Sequence, residues 1–163
     1  METFKYPYIS KLIYRYGNFP LSILLLFYLL ISTREALLNW FYIIFVIINL
    51  AILILLNRYY FRTYKTFPFT IRIDNEKMIC SNFFLSKRIV EIYHCNISSI
   101  YGGLFDGYQG RPVYVNDSKQ NITIGFYQHT GKLQIMLKII IQNINEELYN
   151  TLIKKLKTAH GKK

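Results

Sequence analysis

Two apolar runs near the N-terminus constrain this chain more than any other feature. Residues 16–33, between Arg15 and Arg34, are 18 positions without a charge, and residues 36–57, between Glu35 and Arg58, are 22 more. At 1.5 Å per residue these give helices of ~27 and ~33 Å, close to the hydrocarbon thickness each would cross. Only Ser32, Thr33, Arg34 and Glu35 separate them, so the expected arrangement is a transmembrane hairpin over 19–57, with helices at about 19–33 and 36–57. Asn18 is placed to cap the first helix, and Pro20 falls in its first turn, where a missing amide proton costs little. In the second run fifteen Leu, Ile, Val and Phe outweigh Asn39 and Asn49. Asn49 falls near mid-bilayer. It is a candidate contact between protomers, with a bond inside a single hairpin as the alternative.

Residues 1–18 carry Lys5, Lys11 and Arg15, with Ile9, Leu12, Ile13 and Tyr16 at three- and four-residue spacing. They are expected to form a short amphipathic lead at the membrane interface. A cleavable signal peptide is the rival reading; it lacks a small-x-small site and is followed at once by a second apolar run. Beyond the hairpin, Arg58, Arg62 and Lys65 share one face of a helical extension. With Arg15 they are expected at the lipid headgroups, where each adds about 1 kcal/mol of attraction to anionic lipid. Basic residues flank the hairpin on both sides, against Arg34 alone in its turn, which predicts cytoplasmic termini. That topology leaves the glycosylation matches at Asn96 and Asn121 without a role.

The net charge of +11 is concentrated after the hairpin, where sixteen Lys and Arg face seven Asp and Glu. Positive-inside topology accounts for this excess. No further basic face with interleaved aromatics is evident, so nucleic acid is not an expected partner. Cys80 and Cys95 both fall in strand-like runs and are expected to be small buried hydrophobes of a reducing compartment. Neither a metal nor a cofactor is expected.

From Phe67 the apolar period becomes two. Phe69, Ile71 and Ile73 alternate with Thr70, Arg72 and Asp74, and a turn at residues 74–77 leads to a strand over 78–82. Further strands are expected at 87–93 and 97–101, and as a hairpin over 113–116 and 122–126. Residues 102–112 form a glycine-rich loop. After residue 130 the pattern is helical twice, through Leu133, Met136, Leu137, Ile140 and Ile141, then Leu148, Leu152, Ile153 and Leu156. Asn145 caps the second helix, and Lys154, Lys155 and Lys157 suit its C-terminal end. Residues 66–158 thus make one domain of antiparallel strands and C-terminal helices, and 159–163 a basic tail.

This order resembles small bacterial membrane proteins in which a transmembrane hairpin precedes a pleckstrin-homology-like domain. The hairpin carries the resemblance. So do the strand-turn-strand from Phe69 through Asp74, Asn75, Glu76 and Lys77 to Ile79, and the segment Ile92, Tyr93, His94, Cys95, Asn96, Ile97, Ser98, Ser99, Ile100. The latter is similar to the family's apolar-Pro-x-x-acid-Ile-x-x-Ile pattern, with Tyr93 and Asn96 at the Pro and acid positions. The resemblance implies an α+β membrane protein of the bacterial inner membrane, with a pleckstrin-homology-like sheet or barrel that presents a surface to another protein. Eukaryotic relatives hold inositol phosphates with basic residues at the first strand-turn-strand. Here that turn is mostly acidic, so phosphoinositide binding is not implied.

No pattern of catalytic residues stands out. Arg88 and His94 have the spacing of an Arg-x(4-6)-His ribonuclease pair, but in a β-forming stretch rather than the helical one such a site requires. The glycine-rich loop lacks the Lys-Ser/Thr of a phosphate loop. Its Leu104, Phe105, Tyr108 and Arg111 are the candidate partner-binding residues. The expected function is therefore a non-enzymatic, membrane-anchored interaction module. The alternative is a nucleotide-gated, oligomerising two-transmembrane effector of phage defence that disrupts the membrane. That alternative calls for an oligomer-facing Asn49, or a basic pocket inside the barrel around Arg72, Arg88 and Arg111.

Overall fold

Glu2–Lys5, expected in an amphipathic lead, is a β-strand instead. It forms β1, antiparallel to β2 (Pro68–Ile73), with Glu2 opposite Ile73 and Lys5 opposite Thr70. The computed structural model describes residues 1–108, 110–127 and 130–160, with side chains to residue 158 in the last helix. Of the basic tail expected at 159–163, residues 161–163 lie outside the described residues, and the backbone of Ala159 and His160 continues the last helix. The reason for the strand is alternation: Phe4 turns inward at 2% exposure while Thr3 and Lys5, on the other face, meet water, and Glu2 is exposed at the strand's start. A four-residue alternation is too short to stand out beside the helical spacing that follows it.

That helical spacing holds for α1 (Tyr8–Tyr16), an amphipathic helix whose Tyr8, Ile9, Leu12, Ile13 and Tyr16 are exposed. Next come α2 (Asn18–Leu38), a 3-10 turn at Trp40–Tyr42, and α3 (Ile43–Thr66). Both long helices have the length and apolar composition to cross a membrane, and their Leu, Ile and Phe side chains are almost entirely exposed. The turn does not fall at residues 32–35. Ser32 donates to the carbonyls of Tyr28 and Leu29, and Thr33 donates to that of Leu29, so the hydroxyls are satisfied within a continuous helix. The break comes at Asn39, an extended residue whose side chain accepts the amide proton of Phe41.

The second compact unit joins Met1–Ser10 to the chain from Lys65 onward. Its first sheet has the order β1-β2-β3-β4, with β3 at Lys77–Phe83 and β4 at Val90–Tyr93. Its second has the order β5-β6-β7, from Ile97–Gly102, Val113–Asp117 and Ile122–Phe126. Every pairing is antiparallel. The inward faces of both sheets, α4 (Leu133–Asn143) and α5 (Glu146–His160) share one apolar core, in which Ile71, Ile92, Val115, Ile124, Met136 and Ile140 are closed to solvent. Asn145 accepts the amide proton of Leu148 at 2.7 Å, capping α5 as its sequence predicts. Strand β4 starts at Val90, later than the predicted 87, because residues 84–89 form a loop.

The cysteines divide. Cys80 is closed inside β3, and burial pushes its thiol well above the ordinary range. Cys95, expected to be buried, is exposed, because the 3-10 turn His94–Asn96 replaces the strand there and turns His94 inward.

Candidate functional site

Within the helical unit, the half-buried and buried positions of α2 are Asn18, Ser22, Leu25, Leu29, Ser32, Glu35 and Ala36; those of α3 include Val46, Asn49, Leu53, Leu56, Asn57, Tyr60 and Thr63. Both recur largely at three- and four-residue spacing, which marks one stripe along each helix as the seam of the pair. Asn18, expected as a cap, is buried in a polar knot instead. Its amide donates to Asn57 Oδ1 at 3.4 Å, and its own Oδ1 lies 2.5 Å from the Tyr64 hydroxyl. The Asn57 amide donates to Ser22 Oγ and to the Leu53 carbonyl, each at 3.0 Å. Residue 17, with no Cβ, supplies the cap position: a side-chain carbon there would lie 2.6 Å from the Ile13 carbonyl oxygen and 2.8 Å from the Tyr60 hydroxyl.

Asn49, the candidate contact between protomers, lies half-buried at this same spacing. The polar residues that tie the two helices together are Asn18, which sequence reasoning singled out only as a cap, and Asn57, which it did not single out. Their symmetric placement, one near the start of the first apolar run and one closing the second, was the available signal. The carbonyl of Arg15 lies 3.1 Å from the Tyr64 hydroxyl, so the end of α1 stands level with the last turns of α3. Of the basic residues expected at the lipid headgroups, Arg15 is half-buried and Arg58, Arg62 and Lys65 are exposed.

In the β-sheet unit, an aromatic clasp gathers the two points where the chain leaves for the hairpin and returns from it. Phe67 stacks on Tyr127 at 4.3 Å between ring centroids and meets Tyr114 edge-on at 5.8 Å. Tyr6 packs edge-on against Phe69 and Tyr127, and its hydroxyl accepts the amide proton of Tyr127. The amide of Gly131 donates to the Lys5 carbonyl. Gly125 makes room for this clasp, since a Cβ there would stand 2.6 Å from Phe67 Cζ.

The candidate partner-binding residues separate. Phe105 is 3% exposed in the core, and Leu104 packs against that core, in a 3-10 turn (Gly103–Asp106) that lies against α5. An alternation of small and large residues around three glycines hid this turn's inward side chains. Tyr108 and Arg111 remain exposed, the guanidinium 4.1 Å above the ring centroid.

His94 is 1% exposed, with Nε2 held 2.9 Å from the Asp74 carbonyl, whereas Arg88 is exposed over the Phe83 ring. The pair does not present the convergent, accessible geometry that phosphate cleavage requires. Arg72, Arg88 and Arg111 are all exposed and line no interior pocket. Among the described residues no group of His, Cys, Asp and Glu could hold a metal.

At the far end of the first sheet, Asp74 Oδ1 accepts the amide protons of Glu76 and Lys77, at 3.0 and 2.9 Å. The Lys77 amide and then the Glu76 amide hold its carboxyl below the ordinary range. A 2.7 Å bond to Glu91 raises Lys77.

No family model, curated protein or solved structure matches this chain.

Proposed function

We propose that this chain is a non-enzymatic, multi-pass protein of the bacterial inner membrane, in which a hairpin anchor holds a pleckstrin-homology-like interaction domain at the cytoplasmic face. The observation that carries the reading is the pairing of β1 with β2 across the hairpin. Strands on either side of residues 11–64 belong to one sheet, so the chain must cross the bilayer an even number of times between them. Two apolar helices of 21 and 24 residues with exposed side chains supply two crossings. Exposed Leu and Ile on this scale are tolerated by lipid and not by water. The basic residues at the base of the hairpin favour the cytoplasmic side for both ends. Four- and three-stranded antiparallel sheets followed by helices that complete the core support the pleckstrin-homology-like assignment.

The polar groups of the knot bond within one hairpin, which favours an anchor over a self-assembling pore. The exposed positions of Arg72, Arg88 and Arg111 give no support to a nucleotide pocket inside the domain. Cys95 provides the test of topology. A membrane-impermeant maleimide should label it in inverted inner-membrane vesicles and not in intact spheroplasts; the opposite result overturns the orientation. Crosslinking in native membranes should recover a reproducible protein neighbour. A homo-oligomer in detergent whose melting temperature rises with a cyclic or linear nucleotide would instead establish the effector alternative.

A further inference from the structure

The antiparallel register places one loop and two chain ends together. Lys5 ends β1 opposite Thr70, Pro68 begins β2 opposite Phe83, and residues 84–89 connect β3 to β4 at that same end. The loop at residues 84–89 therefore leaves the sheet where the chain departs for the hairpin and returns from it. Its composition is unusual for a loop in water. Leu85 and Ile89 are 74% and 67% exposed, with Lys87 and Arg88, also exposed, between them. Between Lys77 and Glu91 the sequence has no acidic residue. Leu85 has φ of 59°, a left-handed conformation that costs a residue with a Cβ and here turns a large apolar side chain outward. The loop is nonetheless shaped: Ser86 Oγ accepts the amide proton of Arg88 at 3.2 Å, and the Arg88 guanidinium lies over the Phe83 ring.

The second sheet repeats the pattern. Phe67 touches Tyr114 near the start of β6 and Tyr127 just beyond the end of β7, which marks this as the same end of the domain. The chain between β5 and β6 carries the exposed pair Tyr108 and Arg111 there. The opposite end mixes signs: Glu2, Asp74 and Glu76 stand there with Lys77, which pairs with Glu91, and with Lys119 in the turn between β6 and β7. At the end joined to the hairpin the cations Lys5, Lys87, Arg88 and Arg111 outnumber Asp106, and exposed apolar side chains lie among them.

We infer that the loop at residues 84–89 is a second membrane contact, in which Leu85 and Ile89 enter the interfacial layer of an anionic bilayer while Lys87 and Arg88, with Arg111 nearby, bind lipid phosphates. The inference rests on the hairpin spanning the membrane. Apolar side chains flanked by cations are what such an interface accepts: the first gain from leaving water, the second from the surface potential of anionic lipid. The contact fixes the orientation of the domain on the bilayer, which the link from Thr66 through Phe67 to Pro68 does not do by itself.

The full chain, with Cys95→Ser and a single environment-sensitive fluorophore at Leu85→Cys, Asn75→Cys or Leu50→Cys, is reconstituted into vesicles of phosphatidylcholine with or without phosphatidylglycerol. With phosphatidylglycerol present, the probe at 85 should be quenched by brominated lipid and shielded from iodide. The probe at 75, in the acidic turn, should be quenched by iodide. Lys87→Glu with Arg88→Glu, or Ile89→Ser, all exposed positions, should restore iodide quenching at 85. If the probe at 50 is in lipid but that at 85 behaves like that at 75, the loop contact is overturned and the anchor stands; a protein is then the occupant of this surface. If the probe at 50 is itself aqueous, the anchor falls and the loop contact with it. Immersion at 85 that is equal in both vesicles and indifferent to the charge reversal overturns the assignment to anionic lipid.

Discussion

Gly125 and Asp74 show how single residues fix opposite ends of the β-sheet domain. At Gly125 the reason is space, because the Phe67 ring occupies the volume a side chain would take. Gly125→Val should displace that ring and destabilise the domain by about 1–3 kcal/mol, as overpacked sites do. Thermal unfolding in detergent, followed by near-UV circular dichroism of the aromatic clasp, measures it. At Asp74 the reason is charge: two amide protons stabilise the carboxylate over the acid. Its lowered value means that this stabilisation is complete above the ordinary carboxylate range of about 4 and is lost as pH falls through the lowered value. Asp74→Asn should therefore reduce stability at neutral pH and flatten its acid dependence below about pH 4. Denaturation across that pH range that shows the same slope for both proteins would contradict the assignment. Lys77 has the opposite sign: its raised value keeps its contribution present below the ordinary lysine range and removes it in alkali. Of these features the sequence exposed only the acidic turn. A glycine in an otherwise apolar strand does not reveal which ring will fill the space above it.

At the scale of elements, the hairpin shows what composition does and does not specify. Two helices long and apolar enough to cross a membrane follow from the count of uncharged residues, because the bilayer sets the length such a helix must have. The position of the turn does not follow, because Ser and Thr can satisfy their hydroxyls on the carbonyls one turn back and so pass through a helix. Asn39, whose side chain accepts from Phe41, ends the helix at Leu38, five residues later than the predicted end at 33. Moving the turn changes which Asn matters. Asn57→Ala removes bonds to Asn18, Ser22 and Leu53, and should weaken the helical pair by about 0.5–2 kcal/mol, the range of interhelical polar contacts in membranes. Asn49→Leu should leave it within ~0.5 kcal/mol, as befits a half-buried position with no bond to the other helix to lose. Reversible unfolding in mixed micelles distinguishes the two; equal losses would mean that the seam, and not the knot, holds the hairpin closed.

For the whole molecule, the decisive feature is that the domain is discontinuous, with β1 before the hairpin and six strands after it. Thr3 and Arg72 are opposite one another on exposed faces of β1 and β2. Opposed antiparallel residues are close enough for a disulfide. In a Cys95→Ser background, Thr3→Cys with Arg72→Cys should form an intramolecular bond under mild oxidation and raise the melting temperature. Failure to crosslink, with both thiols reactive, would separate β1 from the sheet. The sequence by itself determined the two long apolar helices, the basic flanks, the antiparallel strands after residue 67 and the two C-terminal helices. Each rests on a local period or a charge count that neighbouring residues display together. Only the tertiary structure decided that Glu2–Lys5 closes the sheet, that Asn18 and Asn57 share a knot, that Phe105 is core while Cys95 is not, and that Leu85 and Ile89 stand at the end where the hairpin joins. These depend on pairings across tens of residues, and burial there is set by which surface arrives from elsewhere in the chain.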